Sequence, residues 1–311
     1  MAVPRLLFGS LSLLFLHQLL PFSTFRPVSG VGINYGTLGN NLPSPKKVAQ
    51  LLQSTLLDKV KIYDSNPEIL EAFSNTAIDL IVAVENHHVA NISTEISAAD
   101  EWLATRVVPF IPATSIVAIC VGNEYLTTNS GDGHLDPNAL VHAMQNLHSV
   151  LVTRGLDRKI KVTTPHSMAV LASSFPPSAS TFAPNFVEPM SSIIGFLADT
   201  GAPFMINACL PIFRLQVKPQ CRRFRICFAR KCYRRHDPKG CIYNNMLHAQ
   251  IDAIRSAINA LGFGNQTIEI IVSESGWPSK GPPGDAAATP NNAKKYKTQL
   301  IERAQSNKGT N

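Results

Sequence analysis

Two glutamates in this 311-residue chain sit where a polar side chain is out of place. Glu124 ends the apolar run "SIVAICVGN" and Glu274 ends "IEIIVS". A carboxylate that closes a run of buried residues is solvated only if it lines a cleft. Two carboxyl groups facing each other across a cleft have the chemistry to break a glycosidic bond. One, kept protonated by apolar surroundings, gives its proton to the leaving oxygen; the other, ionised, attacks or stabilises the anomeric carbon. A separation of about 5–5.5 Å implies a double displacement with retention, and a wider gap implies inversion. Read alone, a Glu after Asn at a strand end is more often a helix cap or a surface residue. Glu274 is more specific, because "ESGWPS" places Trp277 beside it, an aromatic suited to stacking on a sugar face. The plainer reading of Trp277 is a plug in the rim of the fold.

The elements that must carry these residues alternate regularly. Short β-rich runs occur at 31–36, 59–64, 79–85, 115–125, 159–167, 203–208 and 267–276. Helical patterns follow the first, second, fourth and seventh of them at Ser44-Pro45, Asn66-Pro67, Asp136-Pro137 and Thr289-Pro290. In each, a small polar residue can cap the helix while Pro fills the first turn, where its missing N–H costs nothing. A further helix shows Leu247, Ile251, Ile254, Ile258 and Leu261 on one stripe. Seven strands alternating with helices predict an α/β chain with a parallel sheet, whose strands are buried on both faces. No Gly-rich phosphate loop follows the first strand, so a (β/α)8 TIM barrel is preferred to a doubly wound sheet. Barrel chemistry gathers at the C-terminal strand ends, which here are Tyr35, Asp64, Glu85, Asn123-Glu124-Tyr125, His166, Asn207 and Glu274.

Charge and cysteine are both concentrated in one stretch. The formal charge is +7, yet nine Lys and Arg and no Asp or Glu fall between Cys209 and Arg235; taking those nine away leaves −2 for the remainder. The basic balance is therefore no argument for a nucleic-acid partner. Four of six cysteines, Cys209, Cys221, Cys227 and Cys232, lie in the same stretch, at spacings unlike those of a zinc site. At the N-terminus Arg5, an apolar run and "PVSG" read as a secretory signal peptide over residues 1–30. A secreted mature chain without an integral membrane span is expected, with sequons at Asn91 and Asn265 as glycosylation sites.

The segments "VGINYG", "NLPSPKKVAQLL", "KVKIYD", "VGNEY", "VTTPHS", "SSFPPSA", "NNMLHAQIDAIRSA" and "IVSESGWPSKG" together resemble the plant endo-1,3-β-glucanases of glycoside hydrolase family 17. The resemblance implies a TIM barrel over residues 31–311 and retaining hydrolysis of internal β-1,3-glucosidic bonds in callose- or laminarin-like glucans. On the matching motifs it implies Glu124 as acid/base and Glu274 as nucleophile. It also implies Asn123 near the sugar 2-hydroxyl, Tyr35 on the cleft floor, and Phe175 bordering the groove. No metal or organic cofactor is implied, and the expected partner is the polysaccharide, met by a monomer in the cell wall.

Two departures from that pattern stand out. The segment 209–235 replaces a Tyr/Pro-rich one. Read one nucleotide later with permitted codons, "CLPIFRLQ" becomes A-Y-P-F-F-A-Y-R, so this segment is expected to be out of frame. The chain also stops before an eighth strand and any C-terminal lipid signal for membrane anchoring. A barrel lacking strand eight and disrupted around strand six is expected, with impaired turnover. The alternative is a catalytically inactive glucan-binding wall protein on the same scaffold.

Overall fold

The computed structural model describes residues 31–55, 57–130, 133–208, 235–237, 242–243, 246–282, 285 and 287–305. The expected signal peptide and nearly all of the Arg- and Cys-rich segment lie outside these residues.

Seven parallel strands follow one another in chain order: β1 Ile33–Tyr35, β2 Lys59–Ile62, β3 Asp79–Val84, β4 Ser115–Val121, β5 in two pieces, β6 Phe204–Asn207 and β7 Ile270–Glu274. The pieces of β5 are Lys161–Thr163, which pairs with β4, and Pro165–Ser167, which pairs with β6. The step between them carries the curved strand array from a five-stranded sheet into a three-stranded one. Its ends approach without a backbone ladder: the Asn34 side-chain amide on β1 donates to the Ser273 carbonyl on β7 at 3.1 Å. Among the described residues the barrel is thus not closed by strand pairing. β6 is intact and paired on both sides; the expected disruption falls in the chain after Ala208, outside the described residues.

Side chains alternate across this sheet. Val60, Ile62, Leu80, Val82, Val84, Ile119, Val121, Val162, Phe204 and Ile206 face outward into the main core with the helices. Each such side chain, fully buried, contributes about 1.5–3 kcal/mol. The opposite parity points into the barrel, where Ala83, Cys120 and Met205 form a separate cluster flanked by Ile81 and Ile271. Burial pushes the Cys120 thiol pKa up to about 12. In β3, β4 and β6 both faces are largely buried, so these strands read as apolar runs.

The helices run α1 Pro45–Gln53, α2 Pro67–Ala72, α3 Asn86–Thr94, α4 Ile96–Arg106, α5 Pro137–Thr153, α6 Val187–Thr200, α7 Met246–Ile258 and α8 Pro290–Gln305. Asn66 and Asp136 accept from Glu68 N and Asn138 N at 2.9 Å, and Thr289 accepts from Asn292 N at 3.2 Å. Ser44 makes no side-chain cap bond, so that part of the capping expectation is corrected. On α5 the stripe Leu140, Met144, Leu147 and Leu151 is buried. α6 ends at Gly201, whose φ of 62° is the left-handed turn that glycine adopts without steric cost. Among the described residues no helix is long and apolar enough to cross a membrane.

Candidate active site

Glu124 is placed by a turn that few sequences could make. After β4 the chain passes through Gly122 at φ +68°, and Glu124 itself sits at φ +50°. A left-handed backbone is unfavourable for a residue with a Cβ and is held only where neighbours fix it. Here the Asn86 side chain, at the start of α3, grips the Asn123 peptide at both ends. Asn123 N donates to Asn86 Oδ1 at 2.7 Å, and Asn86 Nδ2 donates to Asn123 O at 3.1 Å. A Cβ on residue 122 would lie 2.9 Å from that Asn86 oxygen, so the grip needs glycine there. Glu124 N then donates to the Pro165 carbonyl at 2.9 Å.

Glu274 is placed by an irregular register. Ile206 pairs with Val272 but Asn207 pairs with Glu274, so β7 carries one extra residue at its end. Such a bulge re-aims a side chain. As a result two consecutive residues serve the interior: Ser273 Oγ donates to Asn207 Oδ1 at 2.7 Å, and Glu274 Oε1 accepts from Lys61 Nζ at 3.1 Å.

One network joins both carboxylates. Lys61 Nζ also donates to Asn123 Oδ1 at 3.4 Å. Asn207 Nδ2 donates to Glu124 Oε1 at 3.0 Å and lies 3.5 Å from Asn123 Oδ1. Among the described residues each glutamate therefore has one oxygen tethered, Oε1 in both cases, and the other without a hydrogen bond. Both bonds to Asn123 fall on its oxygen, leaving its amide Nδ2 to donate to a ligand. Lys61 is 5% exposed and pairs with Glu274 alone among the described carboxylates.

The other predicted residues divide. Tyr35 ends β1 half-buried against the core; burial, then the Asp64 charge, raises its hydroxyl pKa. Phe175 is 45% exposed on the loop after β5, where its backbone bonds both ways with Ser173 Oγ. Trp277 is half-buried, its indole N–H donating to Ala287 O at 2.9 Å and its ring 6.1 Å from that of Tyr296. Its edge is thus pinned to the following loop. Asn91 on α3 and Asn265 beyond α7 are both exposed.

Two strand-end residues turn away from the cleft. Tyr125 is buried in the outer core. His166 shares the outward parity of its partner Ile206, is 1% exposed, and lies 5.1 Å from the Phe204 ring. Neither ring nitrogen has a hydrogen-bond partner, and burial lowers the pKa to about 3, so the imidazole is neutral.

Lys61, Ser273 and Asn86 were not among the predicted site residues. The signal for Lys61 is a lysine inside "KVKIYD", with apolar residues on both sides in a strand buried on both faces. Asn86 and Ser273 carry no comparable mark. No group of residues able to hold a metal ion occurs among the described residues.

Known proteins resemble the chain in sequence and in fold. "Glucan endo-1,3-beta-glucosidase 11" of Arabidopsis thaliana is 44% identical over 300 residues, covering 96% of this chain and 69% of the relative. A solved beta-1,3-glucanase and allergen of Cryptomeria japonica pollen is 37% identical with a TM-score of 0.80, over 90% of this chain and 84% of that one. One of two plant beta-glucan endohydrolases with distinct substrate specificities is 32% identical with a TM-score of 0.76, over 88% and 84%. Residues 31–311 match the family described as glycosyl hydrolases family 17, and the chain belongs to that family.

Proposed function

We propose that this protein is a retaining endo-hydrolase of internal β-1,3-glucosidic bonds in callose- or laminarin-like glucans. The observation that carries the reading is the single network in which Glu124 and Glu274 each have one oxygen fixed and one free. Glu124, held by the neutral amide of Asn207, gives its proton to the leaving glucosyl oxygen. Glu274, held by Lys61, bonds to the anomeric carbon from the other side. Glu124 then takes a proton from water, whose oxygen displaces Glu274. Asn123 Nδ2 donates to the 2-hydroxyl of the reacting sugar, and Tyr35, Phe175 and Trp277 border the groove. The names of the relatives supply the substrate class.

The mature protein is read as a monomer secreted to the cell wall and glycosylated at Asn91 and Asn265, both of which are open to solvent. The 209–235 segment is read as out of frame, and the sequence of the transcript decides that point.

The test is release of reducing sugar from laminarin by the chain, beside its Glu274→Gln variant. Turnover that the variant abolishes supports the reading. Glucan binding by both proteins with turnover by neither would support the glucan-binding role instead.

A further inference from the structure

Lys61 is a buried lysine whose three neighbours all favour a positive charge. Its Nζ lies 3.1 Å from Glu274 Oε1, 3.4 Å from Asn123 Oδ1 and 4.1 Å from the centroid of the Tyr63 ring. A buried ion pair gives little net stability, because removing both charges from water costs about what their attraction returns. The pair therefore calls for an explanation in function. Asn123 and Tyr63 also keep the ammonium in place when Glu274 is not charged.

We propose that Lys61 acts chiefly in the second half-reaction, as the cation that draws Glu274 off the sugar. This rests on the functional reading above. In the first half-reaction a Glu274 oxygen bonds to the anomeric carbon while the bond to the leaving oxygen breaks and that oxygen takes the Glu124 proton. Negative charge fades from Glu274, so a fixed cation at Oε1 gives this step no electrostatic help. In the second, a water oxygen bonds to the anomeric carbon and its proton passes to Glu124. The bond to Glu274 breaks, its electron pair returning to the carboxylate. Negative charge now grows 3.1 Å from Lys61 Nζ, and the cation lowers that barrier. Removing the charge slows release of the sugar and leaves the glycosyl-enzyme to accumulate.

The experiment uses the full chain and an aryl β-laminaribioside with a good leaving group, read by stopped flow and by intact mass during turnover. For Lys61→Met we expect a phenolate burst equal to the enzyme present. We also expect a laminaribiosyl adduct on the Glu274 peptide and glycosyl-enzyme breakdown slowed about 10- to 100-fold. Lys61→Arg, which keeps the charge, is expected to show neither burst nor adduct. Should Lys61→Met fail to fold, Lys61→Gln carries the same expectation. If neither neutral variant folds while Lys61→Arg does, Lys61 is a structural residue and the proposal falls. A neutral variant that folds and slows both half-reactions equally, without adduct, also overturns it. A parent chain that neither turns over nor labels at Glu274 overturns the functional reading itself, and this inference with it.

Discussion

The ends of β4 and β7 each deliver one glutamate to the same network, by opposite means. At β4 the backbone does the work: Gly122 and Glu124 adopt left-handed conformations, the Asn86 amide grips the peptide between them, and the carboxylate itself receives a neutral amide. At β7 the backbone contributes one extra residue in register, and the carboxylate is fixed by a buried charge. The difference matches the two proposed roles. A group that gives and takes a proton in each cycle is best fixed by neutral partners through its peptide. A group that must be anionic, then covalently bound, then anionic again suits a permanent cation.

Four experiments would break or sharpen this contrast. The largest effect is expected at Glu274: Glu274→Gly should lower turnover on laminarin by on the order of 10⁴-fold or more. Azide added to that variant with an activated aryl β-laminaribioside should return the α-laminaribiosyl azide, a product of inverted configuration. Glu124→Ala should cost about 10²- to 10⁴-fold on laminarin. Its first half-reaction should recover with an aryl leaving group that needs no proton, which kinetics on paired substrates would show. Equal loss on both substrates would contradict the assignment of Glu124 as acid.

Asn86→Ala should leave Glu274 chemistry in place but loosen the β4 turn. We expect kcat to fall about tenfold with KM within about twofold, and the aryl substrate to be affected less than laminarin. The smallest effect concerns stability. Burial holds the His166 pKa at about 3, against about 6.5 in the unfolded chain. Below pH 6.5 the unfolded imidazole takes up a proton that the folded one refuses, so stability is lost as the pH falls from 6.5 towards 3. His166→Phe should remove about 2–3 kcal/mol of that loss at pH 4.5, seen as a smaller shift of the urea midpoint between pH 7 and 4.5.

Much of the scaffold is legible in the sequence, because burial on both faces gives β3, β4 and β6 apolar runs and Pro marks helix starts. α3 and α4 are harder to read: "NHHVANIST" and the segment after it carry no clear apolar stripe. The two glutamates were visible because a carboxylate ending such a run is conspicuous. Asn207 was visible only as a strand end, since its role depends on a partner on β4 and another on β7. Asn86 lies 37 residues from the peptide it grips, and nothing local marks it. The inward aim of Glu274 depends on a register shift that appears only when β6 and β7 pair. His166 shows the converse: a strand-end histidine suggests chemistry, but parity with Ile206 turns it into the core.

The central claim is that Glu124 and Glu274 work in turn on one anomeric carbon, through a bond to the protein. The most direct measurement is proton NMR of laminari-oligosaccharide cleavage, reading the anomer formed before mutarotation. The account predicts that the β-anomer appears first, and the α-anomer first would contradict it.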